Sequence, residues 1–233
     1  MTLRDIALSM YEIVRGEIKD GDDIDMRLLY NFIHTARMDW ISKSLNNSHA
    51  NLEPFEQDFG AIEVEVVDTA SYANLGISTD VNVLQSIKNF PKFMYKNNNP
   101  LITRVGPIDK YEIKYELVNK DTTPFIGNGK FNATSIFSFS EFPKIKIQSK
   151  ASYIGLLKYI NVRGIIEDPT LARGFQLYDG SGCYTPDTDY PISGNLINYL
   201  QGDIIKHKLA RLLNLPSDRV GDGALSLETN EVK

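Results

Sequence analysis

At 233 residues, 42% hydrophobic and 24% charged, with a mean hydropathy of -0.25, the chain has the composition of an ordinary folded protein of one or two domains. Its formal charge of -5, with acids and bases interleaved throughout, speaks against nucleic-acid binding as the main task, because phosphate neutralisation needs clustered Lys and Arg. No run approaches the roughly 18 apolar residues of a membrane span, the charged opening MTLRDIALSMYEIVRGE lacks the apolar stretch of a signal peptide, and the lone Cys183 has no partner for an intrachain disulfide or a Cys-based zinc site.

Thr2 stands three residues before Asp5, a capping-box arrangement, and Leu3, Ile6, Ala7, Met10, Ile13 and Val14 then fall on one helical face as far as Gly16. The acidic run Asp22, Asp23 and Asp25 complements the positive end of a second helix that extends to Leu45. Its apolar set is Ile24, Leu28, Leu29, Phe32, Ile33, Ala36, Trp40 and Leu45, with Arg27, Asn31, Arg37 and Lys43 on other faces. Such a helix is about 33 Å long.

The period then changes to two. Ile62, Val64 and Val66 alternate with Glu63 and Glu65, and Tyr111, Ile113, Tyr115 and Leu117 alternate with Glu112, Lys114 and Glu116. Asn128-Gly129, between Phe125-Ile126 and FNATSIFSFS, is a hairpin signal, since a type I′ turn needs positive φ at both central residues. Ile145, Ile147 and the run Tyr159 to Ile166 continue the strand pattern. Asp168-Pro169 starts a short helix, and the stretch from Tyr178 to Tyr190, with three tyrosines and two glycines, reads as an exposed arm.

Toward the carboxy terminus, Ile192, Leu196, Ile197, Leu200, Ile204, Ile205, Leu209, Leu212 and Leu213 repeat at helical spacing between Pro191 and Pro216. The expectation is therefore an α+β chain. Long amino- and carboxy-terminal helices (1–50 and 190–216) pack together, an antiparallel β-sandwich or small barrel (55–167) is inserted between them, a short helix and arm follow (168–189), and a tail closes the chain (217–233).

Candidate chemistry is sparse. Gly127-Asn128-Gly129-Lys130 lacks the GxxxxGK spacing of a phosphate loop, and Asp179, Asp187 and Asp189 lack the acid ladder and closing Glu of a calcium loop. His34, His49 and His207 are widely separated, and no base stands in sequence beside Cys183 to activate it. Glu63 and Glu65 share a sheet face, as many carboxylate pairs do in a chain this charged. No catalytic, metal or cofactor-binding residue is expected.

Three segments together carry a resemblance: DDIDMRLLYNFIHTARMDWISKSL, YINVRGIIEDPTLARGF and DYPISGNLINYLQGDIIKHKLARLLNLPSDRVGDGAL. In an acidic cap leading into RLLY, a strand ending Val162-Arg163-Gly164 before Glu167-Asp168-Pro169, and a Tyr190-Pro191-Ile192 entry with a Leu215-Pro216 exit, the chain resembles the tail-barrel ring proteins of crAss-like Bacteroides phages, specifically the portal-proximal ring protein 1. Residues 68–160 add only strand character. The resemblance implies a noncatalytic virion protein, made in the host cytoplasm, that forms a ring, a dodecamer, of the head-to-tail connector below the portal. Its partners would be the portal protein and other tail ring proteins. DNA would pass through the lumen without specific binding, and no membrane would be involved.

Tyr178, Tyr184, Tyr190, Leu225 and Leu227 are the expected partner contacts. The alternatives are a tail-completion protein or another ring of the same stack, and a β-rich module that binds glycans or the host surface, for which the Tyr-rich loop speaks.

Overall fold

The computed structural model describes residues 1–15, 25–46, 51–67, 82–109, 113–125, 134–177 and 179–203. The chain divides into two compact units, Met1–Pro54 with Pro186–Lys233, and Phe55–Thr185.

In the first unit, helix α1 spans Leu3–Arg15. Thr2 N–H donates to Asp5 Oδ2 at 2.9 Å and Asp5 N–H donates back to Thr2 Oγ1 at 3.1 Å, so the capping box forms. Ile6, Ala7 and Met10 are fully buried, whereas Ile13, expected on the same stripe, is exposed. Helix α2 spans Met26–Ser44, capped by Asp25, whose carboxylate accepts from Arg27 N–H. It buries Leu29, Ile33, Ala36 and Ile41. Helix α3 spans Gly194–Asp203 and buries Leu196 and Leu200, one turn apart.

These helices, of 13, 19 and 10 residues, correct the expectation of long terminal helices packed on each other. Residues 204–216, the remainder of the expected carboxy-terminal helix, and the tail 217–233 lie outside the described residues. The amino-terminal residues meet the segment from 189 to 201 by another route. Thr2 forms a β-bridge with Asp189, Tyr190 N–H donates to Met1 O at 3.0 Å, the terminal ammonium pairs with Asp189, and Gln201 Nε2 on α3 donates to Ser9 Oγ on α1 at 2.8 Å. Arg37, placed off the apolar face by the periodicity, is completely buried; its Nε donates to Pro191 O at 2.9 Å and its guanidinium lies over the Tyr190 ring.

The second unit is built on strands β1 (Gln57–Val67), β2 (Asn82–Ser86), β3 (Tyr95–Lys96), β4 (Asn99–Pro100), β5 (Ile102–Gly106), β6 (Glu116–Leu117), β7 (Phe137–Glu141), β8 (Lys144–Ser149) and β9 (Tyr159–Gly164). β3 and β4 form a small hairpin. The other seven make one sheet in the order β5-β9-β1-β2-β8-β7-β6. It curls into a nearly closed barrel, because Tyr115 N–H, beside the last strand, donates to Val105 O on the first at 2.8 Å. A small barrel was one of the two expected forms; the sandwich is not seen. Pairing is antiparallel except between β6 and β7, which is parallel.

The lumen follows from the alternation. Ile62, Val64, Leu84, Ile145, Ile147, Ile160 and Val162 are buried, and the pairs Leu84–Ile147 and Ile62–Ile160 lie opposite each other. Glu63 and Glu65 point out. The stretch read as a strand from Tyr111 shrinks to Glu116–Leu117: Ile113 is exposed, Tyr115 is buried, and Tyr111 lies outside the described residues. The Asn128-Gly129 turn is also outside them. Phe125 closes the 3-10 segment Lys120–Phe125, and β7 instead turns into β8 at Phe142-Pro143. Ser152–Leu156 and Pro169–Gly174 are 3-10 turns, the latter capped by Asp168, which accepts from Thr170 N–H.

At the other end of the barrel from Ser152–Leu156, Phe59 meets Phe90, Phe93 and Phe175 edge-on at 5.3, 5.8 and 5.1 Å between ring centres. Next to it, β1 bulges between Asp58 and Ala61. Gly60 occupies the bulge at φ 66°, and a Cβ there would lie 2.2 Å from Gln176 O. Gly60→Ala should therefore cost at least roughly 2 kcal/mol. Gly155→Ala, where the added methyl meets nothing within 4 Å, should stay within about 0.5 kcal/mol. Urea denaturation of both variants checks this, and equal midpoints would refute the close-approach account.

Candidate functional site

The residues singled out from sequence do not converge. Tyr184 and Tyr190 are buried at 8% and 3% exposure, against the expectation of an exposed tyrosine arm. Tyr190 shares a 2.8 Å hydrogen bond with His34 Nδ1 and belongs to the core of the first unit. Packing of that kind leaves these two rings little area for a partner. Tyr178, Leu225 and Leu227 lie outside the described residues.

The acidic loop residues are separately engaged. Asp179 accepts from Ser181 N–H and Oγ, bonds that hold its carboxyl below the usual range, and Asp189 takes the terminal ammonium. Among the described residues, no group of three or more His, Cys, Asp or Glu is placed to hold a metal ion, and no helix is long and apolar enough to cross a membrane. Burial, with Asp58 nearby, pushes the Cys183 thiol up to about 12, the opposite of an activated thiolate.

Geometry singles out the barrel seam instead. β5 and β6 are its two edge strands, and they run antiparallel. Their junction is zipped at one end. Tyr115 N–H reaches Val105 O, and Arg104 Nη2 donates to Pro107 O at 3.2 Å and Ile113 O at 3.4 Å. The turn also passes so close to Gly106 that a Cβ there would sit 2.4 Å from Ile113 O. Arg104 is 4% exposed and also donates to Asn161 Oδ1 on β9. Asn161 in turn donates to Asp58 at 2.6 Å, and Arg163 Nε donates to the other Asp58 oxygen at 2.9 Å. Burial pushes the adjacent Tyr115 hydroxyl up to about 12, with Tyr153 and Asp109 adding to the effect.

At its other end the seam gapes into a cleft of about 650 Å³. Its walls are Tyr95 and the Asn97-Asn98 turn on one side, Ile102 below, and Leu117, Asn119 and Lys120 opposite. Both turn asparagines have positive φ, 50° and 65°, as a type I′ hairpin requires. Tyr95 and Leu117 are exposed. The sequence signal for this wall was the run Tyr95-Lys96-Asn97-Asn98-Asn99-Pro100, a tight-turn composition that the search for chemistry passed over.

The Lys120 wall is held by charge. Glu141, at the end of β7, bonds Lys120 and Lys146 together, and these bonds, that to Lys120 first, draw its carboxyl below its ordinary 4.5. Gln148 Nε2 donates to Thr123 O at 3.3 Å, so the 3-10 segment covers the outer face of β8. A depressed carboxylate stabilises the fold fully above its unfolded value and loses that contribution as pH falls through the folded one. Glu141→Gln should lower the stability at neutral pH by about 1 kcal/mol, the scale of partly exposed ion pairs. The gap in melting temperature from the parent protein should then close below pH 4.5. A gap that does not change with pH would assign the effect to something other than this carboxylate.

A family model described as phage tail ring protein 2 matches residues 6–223, and the chain belongs to that family. The resemblance to phage tail ring proteins thus holds, with the family being ring protein 2 where the sequence segments had suggested ring protein 1. No curated protein matches the chain.

Proposed function

We propose that this member of the phage tail ring protein 2 family is a noncatalytic virion subunit whose copies close into a ring of the tail barrel, below the portal, as part of the conduit for DNA ejection. The family match over residues 6–223 carries the reading. The assembly is a dodecamer stacked between further ring proteins or the portal, and the chain reaches it from the host cytoplasm. Rings need a heterologous contact, one patch of each copy against a different patch of the next. Exposed apolar side chains on the barrel suit such use: Tyr153 and Leu156 are three apart on a 3-10 turn and so stack on one side, with Leu156 81% exposed and Tyr159 close behind in sequence. The net charge of -5 favours a lumen that DNA slides past without adhering.

The glycan-binding alternative finds support in the Tyr95 and asparagine wall of the cleft, a pairing of ring face and amide groups suited to sugars. It predicts saturable oligosaccharide binding by a monomer or trimer. Native mass measurement of the protein, alone and mixed with its tail-ring and portal partners, separates the two. The ring reading expects a closed multimer of about twelve copies, alone or nucleated on a partner. A chain that stays monomeric in every mixture would overturn it.

A further inference from the structure

The parallel pairing of β6 determines which way its backbone groups point. Glu116 N–H donates to Ile136 O and Val118 N–H to Ser138 O, so residues 116 and 118 serve the β7 side. In a ladder of this kind alternate residues face opposite neighbours. Tyr115 and Leu117 therefore direct their N–H and C=O toward β5. Tyr115 meets Val105. Continuing that antiparallel register sets Leu117 opposite Thr103, which is where the cleft opens between Ile102 and Leu117. The cleft is thus bordered by an unzipped length of barrel seam, with a strand edge at Leu117 above Ile102 and a lining that is otherwise mostly polar, a geometry that accepts an added strand.

We propose that this seam takes residues 223–229 of an adjacent copy as an additional strand, so that each ring subunit is clasped by its neighbour's tail. The proposal rests on the ring reading, which supplies the neighbouring copy. Gly223-Ala224-Leu225-Ser226-Leu227-Glu228-Thr229 alternates apolar and small or polar residues, and Leu225 and Leu227 share one face when extended. That face matches the exposed Tyr95 and Leu117 and the floor at Ile102. Residues 217–233 carry four acids against two bases, and Lys96, between two wall residues, offers the opposite charge, whereas Lys120 on the wall is paired with Glu141 and stands beside Asp121. With residues 204–216 in the helix that their spacing predicts and 217–224 extended, the chain after Asp203 spans roughly 45 Å by residue 224.

Cross-copy linkage in the full chain tests this. In a Cys183→Ser background, one tagged chain carries Leu117→Cys and a second, differently tagged chain carries Leu227→Cys. The two are co-assembled with the partner proteins and treated with a short bis-maleimide. Rings isolated by mass should contain a band joining the two tags, and Leu225→Asp on the tail should reduce it roughly tenfold. That tail substitution leaves the barrel untouched, and Ser140→Cys, on β7 beside Leu117, replaces Leu117→Cys if the latter lowers the melting temperature. Rings that form without the cross-copy band, or with linkage only inside a single chain carrying both cysteines, would overturn the clasp and leave the ring reading standing. Failure to form rings under any condition would overturn both.

Discussion

A curled sheet becomes a barrel only where its first and last strands meet, and in this chain that meeting is short. Tyr115 N–H donates to Val105 O, and beyond it β5 and β6 part into the cleft. The turn that delivers Tyr115 is fixed by the Arg104 guanidinium, which bonds both its carbonyls and the Asn161 side chain. Burying a guanidinium is costly unless its donors find acceptors, and the register in which the two Arg104 Nη groups reach Pro107, Ile113 and Asn161 together offsets part of that cost. The same network runs through Asn161 to Asp58 and the Gly60 bulge, which joins the closing point of the seam to the bend in the longest strand. The lumen residues are then held together by a polar chain on the outside of the sheet, in addition to their own apolar contacts.

The helical unit works by a comparable device on a smaller scale. At 13 residues, α1 is marginal by propensity alone. The amino terminus instead pairs with residues 189–190, Gln201 bonds Ser9, and Arg37 with His34 grips the Tyr190-Pro191 corner. A polar clasp between distant parts of the chain sets which helix faces are buried.

How far this could be read in advance differs by element. The capping box at Thr2 and Asp5, the Asp25 and Asp168 caps, and the strands around Ile62, Ile145 and Ile160 were legible because each depends on residues close in sequence. Arg37 was misread because its partner carbonyl is 154 positions away and periodicity sees only its charge. The Tyr111 to Leu117 alternation failed for a related reason. Only Glu116 and Leu117 find a strand partner, and Gly106 and Arg104 dictate the path of the preceding turn. Tyr184 and Tyr190 looked like an exposed arm by composition, yet each is packed into the core of its own unit. The cleft was not legible at all. It arises from the failure of two edge strands to stay paired, which no single stretch of sequence records.

That failure is informative for an assembly protein. Exposed strand edges invite association, and soluble chains usually blunt them with charge, short length or a cover. β6 is blunted by being two residues long, and the Glu141 link to Lys120 and Lys146 braces the wall beside it without capping its edge. The edge therefore remains available in a chain of the phage tail ring protein 2 family, and under the ring reading proposed above identical neighbours would recur at fixed distance, so that a weak contact is repeated at every interface. A few backbone bonds with two leucine side chains are too little to hold a dimer in solution. Under the proposed clasp, the same contact multiplied around a closed circle, each made at the high local concentration its neighbours impose, would distinguish an assembled ring from free subunits.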